Sequence, residues 1–223
     1  MGGYYSQKLS GERLRLCYEI APPRVKQYLE AEIEFVLDKM ESSGLVLELG
    51  CGYGRVLRRL LGKAKTVVGI DTSLASLSLA QDAVCKQSHC HLFMMDAVEM
   101  GFCDRQFDTV VCIQNGISAF GVDRRKLIGE AMRVTHSGGI VLFSSYSERF
   151  WEDRLEWFRI QSEKKLVGEI DDEATGNGVI VCKDGFKAST VGPDDFVRLT
   201  SDLDVDPIVT EVDNSSIFYE LRT

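Results

Sequence analysis

Three carboxylates close three apolar runs in the first half of the chain. Glu48 lies in Leu45-Val46-Leu47-Glu48-Leu49, Asp71 ends Thr66-Val67-Val68-Gly69-Ile70-Asp71, and Asp96 ends His91-Leu92-Phe93-Met94-Met95-Asp96. Behind the first run comes Gly50-Cys51-Gly52-Tyr53-Gly54. Glycines at this spacing let the backbone take positive φ and let a ligand approach with no Cβ in the way. A helix start just after them presents unpaired N–H groups. The pattern is G-x-G-x-G, not the G-x-G-x-x-G of dinucleotide sites. Glu48, placed just before the glycines, would repel a pyrophosphate and suits a cationic ligand. Asp71 stands 17 residues after Gly54, where a carboxylate at a strand tip accepts both hydroxyls of a ribose. The plainer role for Asp71, with Thr72-Ser73, is to cap the next helix.

These residues need strands that present them and helices that space them. Short apolar runs bounded by turn residues read as buried parallel strands. They fall at 45–49, 66–71, 91–96, 107–114 and 140–146. Between them lie helical patterns: Val56, Leu57, Leu60 and Leu61; Leu74, Leu77, Ala80 and Val84; and Asp123 to His136, ended by Ser137-Gly138-Gly139. Pro22-Pro23 opens a longer helix through Met40, ended by Ser42-Ser43-Gly44, since proline is tolerated in a first turn. Strands alternating with helices predict an α/β layered fold. In the last third, Phe150 to Lys165 reads as a helix with Trp151, Leu155 and Phe158 in an aromatic stripe, a pattern that usually marks core. Leu166 to Ile170 reads as a strand. Asp184-Gly185 marks a hairpin between Val179–Lys183 and Phe186 onward. Pro193 to Leu203 reads as a short acidic helix, and closing strands at 207–212 and 216–221 flank Asp213-Asn214.

Glu48-Leu49-Gly50-Cys51-Gly52-Tyr53-Gly54 resembles the first motif of class I S-adenosylmethionine-dependent methyltransferases. The resemblance runs over about residues 45–147, through Phe107-Asp108 at the fourth strand and the Gly138-Gly139 break before the fifth. It implies a three-layer α/β sandwich around a mostly parallel seven-stranded sheet, with an N-terminal helix and a small β insertion. As domains, it implies one unit over 1–223, a helical cap over 1–43, and an insertion over 166–191 that serves as an acceptor-side lid. The implied cofactor, S-adenosylmethionine, has no phosphate. Glu48, Gly50, Cys51 and Gly52 would hold it at the first strand, and Asp71 and Thr72 at the second. Asp96-Ala97 matches the adenine-contacting pair, although Asp96 alone could equally cap a strand end. Gln114 sits where a backbone carbonyl holds the cofactor amine. Asn115 and Tyr146 would face the acceptor.

A dedicated base is needed only if the acceptor must lose a proton before attack, so no catalytic residue is assigned. Tyr4, Tyr5, Tyr18 and His136 are further acceptor-side candidates. The Asn/Asp-Pro-Pro-Tyr/Phe motif of amide and exocyclic-amine methyltransferases is absent, which counts against a nucleobase or glutamine acceptor.

Composition narrows the partners. The formal charge is −8. Residues 1–147 balance at +1 and residues 148–223 at −9, so the acidity belongs to the last third. Nucleic-acid binders carry a basic face, and this chain has no strong one, so a small-molecule acceptor is expected. No apolar run approaches the roughly 20 residues of a membrane span, and the N-terminus shows no signal-peptide pattern. Seven cysteines at irregular spacing favour a reducing, cytoplasmic compartment. Cys85, His89, Cys90 and His91 look like a metal cluster but lack a second pair at zinc spacing, so no metal is expected. Two rivals remain: a catalytically silent binding or partner subunit, and a nicotinamide-dependent oxidoreductase. Glu48 and the glycine spacing speak against the second, as does the lack of a Tyr-x3-Lys pair.

Overall fold

The computed structural model of the chain describes residues 4–40, 44–84 and 87–223. Seven strands form one sheet: β1 (Leu45–Leu49), β2 (Thr66–Asp71), β3 (Cys90–Met94), β4 (Phe107–Cys112), β5 (Thr135–Tyr146), β8 (Ile208–Val212) and β9 (Ser216–Arg222). Two short strands, β6 (Ile180–Val181) and β7 (Lys187–Ala188), pair apart from it. The order in the large sheet is β3-β2-β1-β4-β5-β9-β8. The first five strands are parallel, and β9 pairs antiparallel with both β5 and β8.

Alternation along each strand sends side chains to two apolar faces. Leu47, Val68, Val110, Val141 and Tyr219 pack on one side, and Val46, Val67, Val111, Leu142 and Phe218 on the other. Helix α7 (Arg124–Val134) covers the first face with Leu127, Ile128 and Ala131, joined by Phe196 of α9 (Pro193–Thr200). Helices α3 (Pro23–Lys39), α4 (Leu57–Leu60) and α5 (Leu74–Val84) cover the second. Burial on both faces explains why the strands read as nearly continuous apolar runs. A third apolar cluster joins α1 (Tyr4–Lys8) and α2 (Glu12–Glu19) to α8 (Trp151–Glu163) and to the β6–β7 hairpin.

Several boundaries differ from the sequence reading. Within the expected helical cap over 1–43, residues 4–19 carry two helices ahead of the one that the sequence placed from Pro22. The helix after the glycine turn is a single turn. The expected stop of α3 at residues 42 and 43 lies outside the described residues; the helix itself ends at Lys39, capped by Met40. Helix α7 ends at Val134, because Thr135 already pairs with Phe107 of β4. Residues 166–170 form no strand beyond a single antiparallel bridge of Ile170 with Cys182. It is closed by Lys183 N–H donating to Glu169 O and Asp171 N–H to Val181 O, both 2.9 Å, while Leu166 N–H turns back to Gln161 O (2.9 Å). The stripe on α8 is rotated. Arg154, Trp157, Phe158 and Gln161 are the buried residues, while Trp151 and Leu155 are only half-buried.

Candidate cofactor and acceptor site

The glycine turn is tied to the neighbouring strand by its own backbone. The N–H groups of Gly50 and Cys51 both donate to Ile70 O, at 2.8 and 2.9 Å, and Gly54 N–H closes the turn on Cys51 O at 3.0 Å. Gly50 has φ +71°, and a Cβ there would lie 2.5 Å from the Phe120 ring. Gly54 has φ +84° and lets α5 approach, since a Cβ would lie 3.1 Å from Ala80 Cα. Gly52 N–H donates to Asp71 Oδ2 (2.9 Å) and Ser73 N–H to Asp71 Oδ1 (2.8 Å). The carboxylate thus spans the turn and the start of α5, and each oxygen keeps acceptor capacity. Ser73 caps the helix through Oγ, which accepts from Ser76 N–H at 3.2 Å.

A cavity of about 420 Å³ runs along the carboxyl ends of the strands. Its floor comes from Glu48 at β1, Asp71 and Thr72 at β2, Asp96 and Ala97 after β3, and Gln114 after β4. Glu48 is only 4% exposed, and its Oε2 has no hydrogen-bond partner among the described residues. Burial pushes its carboxyl up to about 8; Arg55 opposes the shift and Asp71 adds to it. A buried carboxylate without a partner is costly, so this one suits a ligand that brings a cation. Gln114 takes φ +58°, and its N–H donates to Glu32 Oε2 (2.7 Å) and to Ser144 Oγ (2.8 Å). Glu32 of α3 is fully buried and also accepts from Ser216 Oγ (2.5 Å). Burial raises it to about 7 against those hydrogen bonds.

The other half of the cavity is apolar and aromatic. Tyr5, Cys17 and Tyr18 enter from α1 and α2, Tyr146 from the end of β5, and Trp157 and Phe158 from α8. Trp157 Nε1 donates to Cys17 O at 2.9 Å, which fixes the two walls to each other. Burial holds Tyr5 and Tyr18 well above the usual tyrosine range and pushes Tyr146 up to about 12. Gln161, one α8 turn beyond Phe158, also lines this half. Sequence reasoning missed it. Arg154 and Gln161 stand seven apart on the buried face that carries Trp157 and Phe158, a placement that shows only once the helix is set in the fold.

The structure brings most of the expected site residues to the cavity but not all. Glu48, Gly50, Asp71, Thr72, Asp96, Ala97, Gln114, Tyr5, Tyr18 and Tyr146 line it. Gly52 contributes through its N–H to Asp71. Cys51 turns its thiol into the core, where a Cβ on Gly69 would come within 2.9 Å of Sγ. Asn115 is buried in structural bonds, accepting from Ser145 Oγ (2.9 Å) and donating to Ser189 O (3.0 Å). Tyr4 reaches away to Asp184 Oδ2 (2.6 Å), and His136 pairs with Asp108 (2.6 Å). Among the described residues, no group of three or more His, Cys, Asp or Glu is placed to hold a metal; Cys85 lies outside them.

The stretch that carries the glycine turn and the strand ends after it resembles known proteins. Residues 46–139 match the family model described as a methyltransferase domain. The Bacillus subtilis protein YqeM, which carries a methyltransferase name, is 32% identical over 110 residues, 48% of this chain and 44% of its own. A malonyl-[acyl-carrier protein] O-methyltransferase of Hamiltonella defensa is 28% identical over 142 residues, 62% of this chain and 53% of its own. The chain therefore spans about half the length of these curated relatives. Among solved structures, the PH0226 protein of Pyrococcus horikoshii shares the fold, with a TM-score of 0.66 at 22% identity over 90% of this chain and 92% of that one.

Proposed function

We propose that this chain is a class I S-adenosylmethionine-dependent methyltransferase, a reading supported by the methyltransferase-domain match over residues 46–139 and by the likeness to YqeM, and that it transfers a methyl group from S-adenosylmethionine to a small-molecule acceptor. The carrying observation is the buried, unpartnered carboxylate oxygen of Glu48 at the foot of the glycine turn, beside an Asp71 whose oxygens retain acceptor capacity. That pair fits a ligand with a cationic head and a ribose, and it opposes a pyrophosphate.

The residues divide the work. Glu48 would meet the positive charge of the methionine portion, Asp71 the ribose hydroxyls, and Asp96 with the Ala97 N–H the adenine edge. The cofactor, when bound, supplies a methyl group made electrophilic by a sulfonium. The chain's own part is to hold the acceptor in line and to exclude water behind Tyr5, Tyr18 and Trp157. Orientation of this kind is worth roughly 7–11 kcal/mol. The helices over 4–19 serve as a cap on the acceptor side, and the 166–191 segment braces that cap.

Calorimetric titration with S-adenosylmethionine, its demethylated product and NADH tests the assignment. Saturable binding of the first two is expected, with at least a tenfold loss in Asp71→Ala. Binding of NADH alone, or of none of the three by folded protein, overturns it.

A further inference from the structure

On α8, two buried nitrogens carry hydrogens that no acceptor meets. Arg154 is 1% exposed and Gln161 2%, and both Arg154 Nε and Gln161 Nε2 lack a partner among the described residues. They stand seven residues apart on the face whose intervening members, Trp157 and Phe158, line the aromatic half of the cavity. Gln161 lines it directly. Arg154 lies just behind, with its guanidinium 4.3 Å from the Tyr146 ring centroid and 5.9 Å from that of Phe158.

Among the described residues, no carboxylate pairs with Arg154. Its other nitrogens donate to Gly178 O (3.0 Å) and Ala188 O (2.9 Å), which are neutral acceptors. Its electrostatic neighbours are Tyr146, Tyr28 and Tyr5, not a carboxylate. A buried cation without a counter-ion is costly and is normally paired. The acids of the cavity, Glu48, Asp71 and Asp96, sit on the opposite half. The acceptor half therefore carries spare donors, a buried positive charge and apolar walls. Among the described residues it holds no histidine, and its tyrosines and Cys17 are all pushed up by burial.

We propose that the acceptor compartment takes a small carboxylate on an apolar or aromatic body, hydrogen-bonded by Gln161 and balanced by the buried charge of Arg154. This rests on the reading of the cavity as a methyl-transfer site. A carboxylate oxygen uses its own lone pair to form the O–CH3 bond as the S–CH3 bond breaks and that electron pair stays on sulfur. No proton moves, so the lack of a base in the compartment is no obstacle. A negative and a positive charge disappear together, a change that apolar walls favour over water. Gln161 is the residue in contact with the acceptor; Arg154 acts through the Tyr146 wall and is a positioning residue.

The test uses the full chain with phenylacetate, phenylphosphonate, phenethylamine and phenethyl alcohol. Binding of each is measured by calorimetry in the presence of the demethylated cofactor, and methyl transfer is measured with S-adenosylmethionine. Phenylacetate is expected to bind and to be methylated, with the amine and alcohol at least tenfold weaker in both. Gln161→Leu, which removes no existing side-chain bond, should weaken phenylacetate binding tenfold or more while cofactor affinity stays within twofold. Arg154→Met should do the same, and Arg154→Lys should restore part of the loss. Preference for phenylphosphonate would reassign the anion and overturn the carboxylate. Preference for the amine or alcohol, or unchanged phenylacetate binding in folded Gln161→Leu and Arg154→Met, would overturn the proposal and leave the methyltransferase reading intact. Failure of the cofactor itself to bind would overturn both.

Discussion

Glu48 joins burial to ligand charge within one side chain. Desolvation, with Asp71 nearby, holds its carboxyl at about 8 in the free protein despite Arg55. A cationic ligand prefers the ionised form, so its binding must expel the proton at neutral pH. Affinity for S-adenosylmethionine should therefore rise by up to roughly tenfold per pH unit as pH climbs toward 8, then level off. Calorimetry in buffers of different ionisation enthalpy should show close to one proton released at pH 7. Glu48→Gln should bind more weakly and lose the pH slope; a retained slope would place the titrating group elsewhere. Glu48, Asp71 and Asp96 were legible in the sequence because each closes an apolar run beside turn residues. Gln161 and Arg154 were not, because a polar residue on an aromatic helix reads as solvent-facing until the helix is rotated into place. Cys51 and Asn115 show the reverse. The Cys51 thiol packs into the core and the Asn115 amide is held by Ser145 and Ser189, so both side chains turn away from the cavity.

At the level of elements, Glu32 pins α3 to both the end of β4 and the start of β9. Burial holds its carboxyl at about 7, above the usual 4.5. The folded state thus keeps a proton that the unfolded chain has lost. The stability this contributes is complete below the unfolded value and is lost as pH rises through about 7. Glu32→Gln should show a shallower fall of denaturation midpoint between about pH 5 and 8 than the wild type. Glu32→Ala should cost about 1–3 kcal/mol by urea titration, the range for stranding buried donors. A different contact holds α1: Tyr4 Oη donates to Asp184 Oδ2 at 2.6 Å, and Lys8 Nζ to Asp184 O at 3.1 Å. Asp184→Ala should leave global stability within about 1 kcal/mol, as for exposed pairs, yet speed amide exchange over residues 4–8. Unchanged exchange there would show that ring packing on Phe186 suffices. Within the expected cap, the two helices over 4–19 were not legible one by one, because each is short and mostly polar, and short helices owe their stability to what they pack against.

For the whole molecule, burial predicts which thiols are reachable. Cys17, Cys51, Cys112 and Cys182 are buried and Cys103 is exposed. Desolvation also raises the four buried thiols, which lowers their reactivity further. Mass mapping after brief treatment with a thiol reagent at neutral pH should find Cys103 labelled and these four unlabelled until denaturant is added. Early labelling of Cys17 would reveal opening of the wall it shares with Trp157. The central strands β1, β2, β4 and β5 were legible because, covered on both faces, they cannot disguise their composition. The order β5-β9-β8 was not, because pairing partners far apart in sequence leave no local mark.

The two halves of the cavity have different genealogies within the chain. In the proposed function the cofactor floor comes from one continuous stretch, Glu48 to Gln114, while the acceptor wall is borrowed from Tyr5 to Tyr18, Tyr146, and Trp157 to Gln161. Under that proposal, mutations that drift in the borrowed pieces should alter what is modified without disturbing the cofactor floor. The fold can therefore change clientele at low risk, and transplanting residues 4–20 together with 151–190 from a relative should carry that relative's preference along.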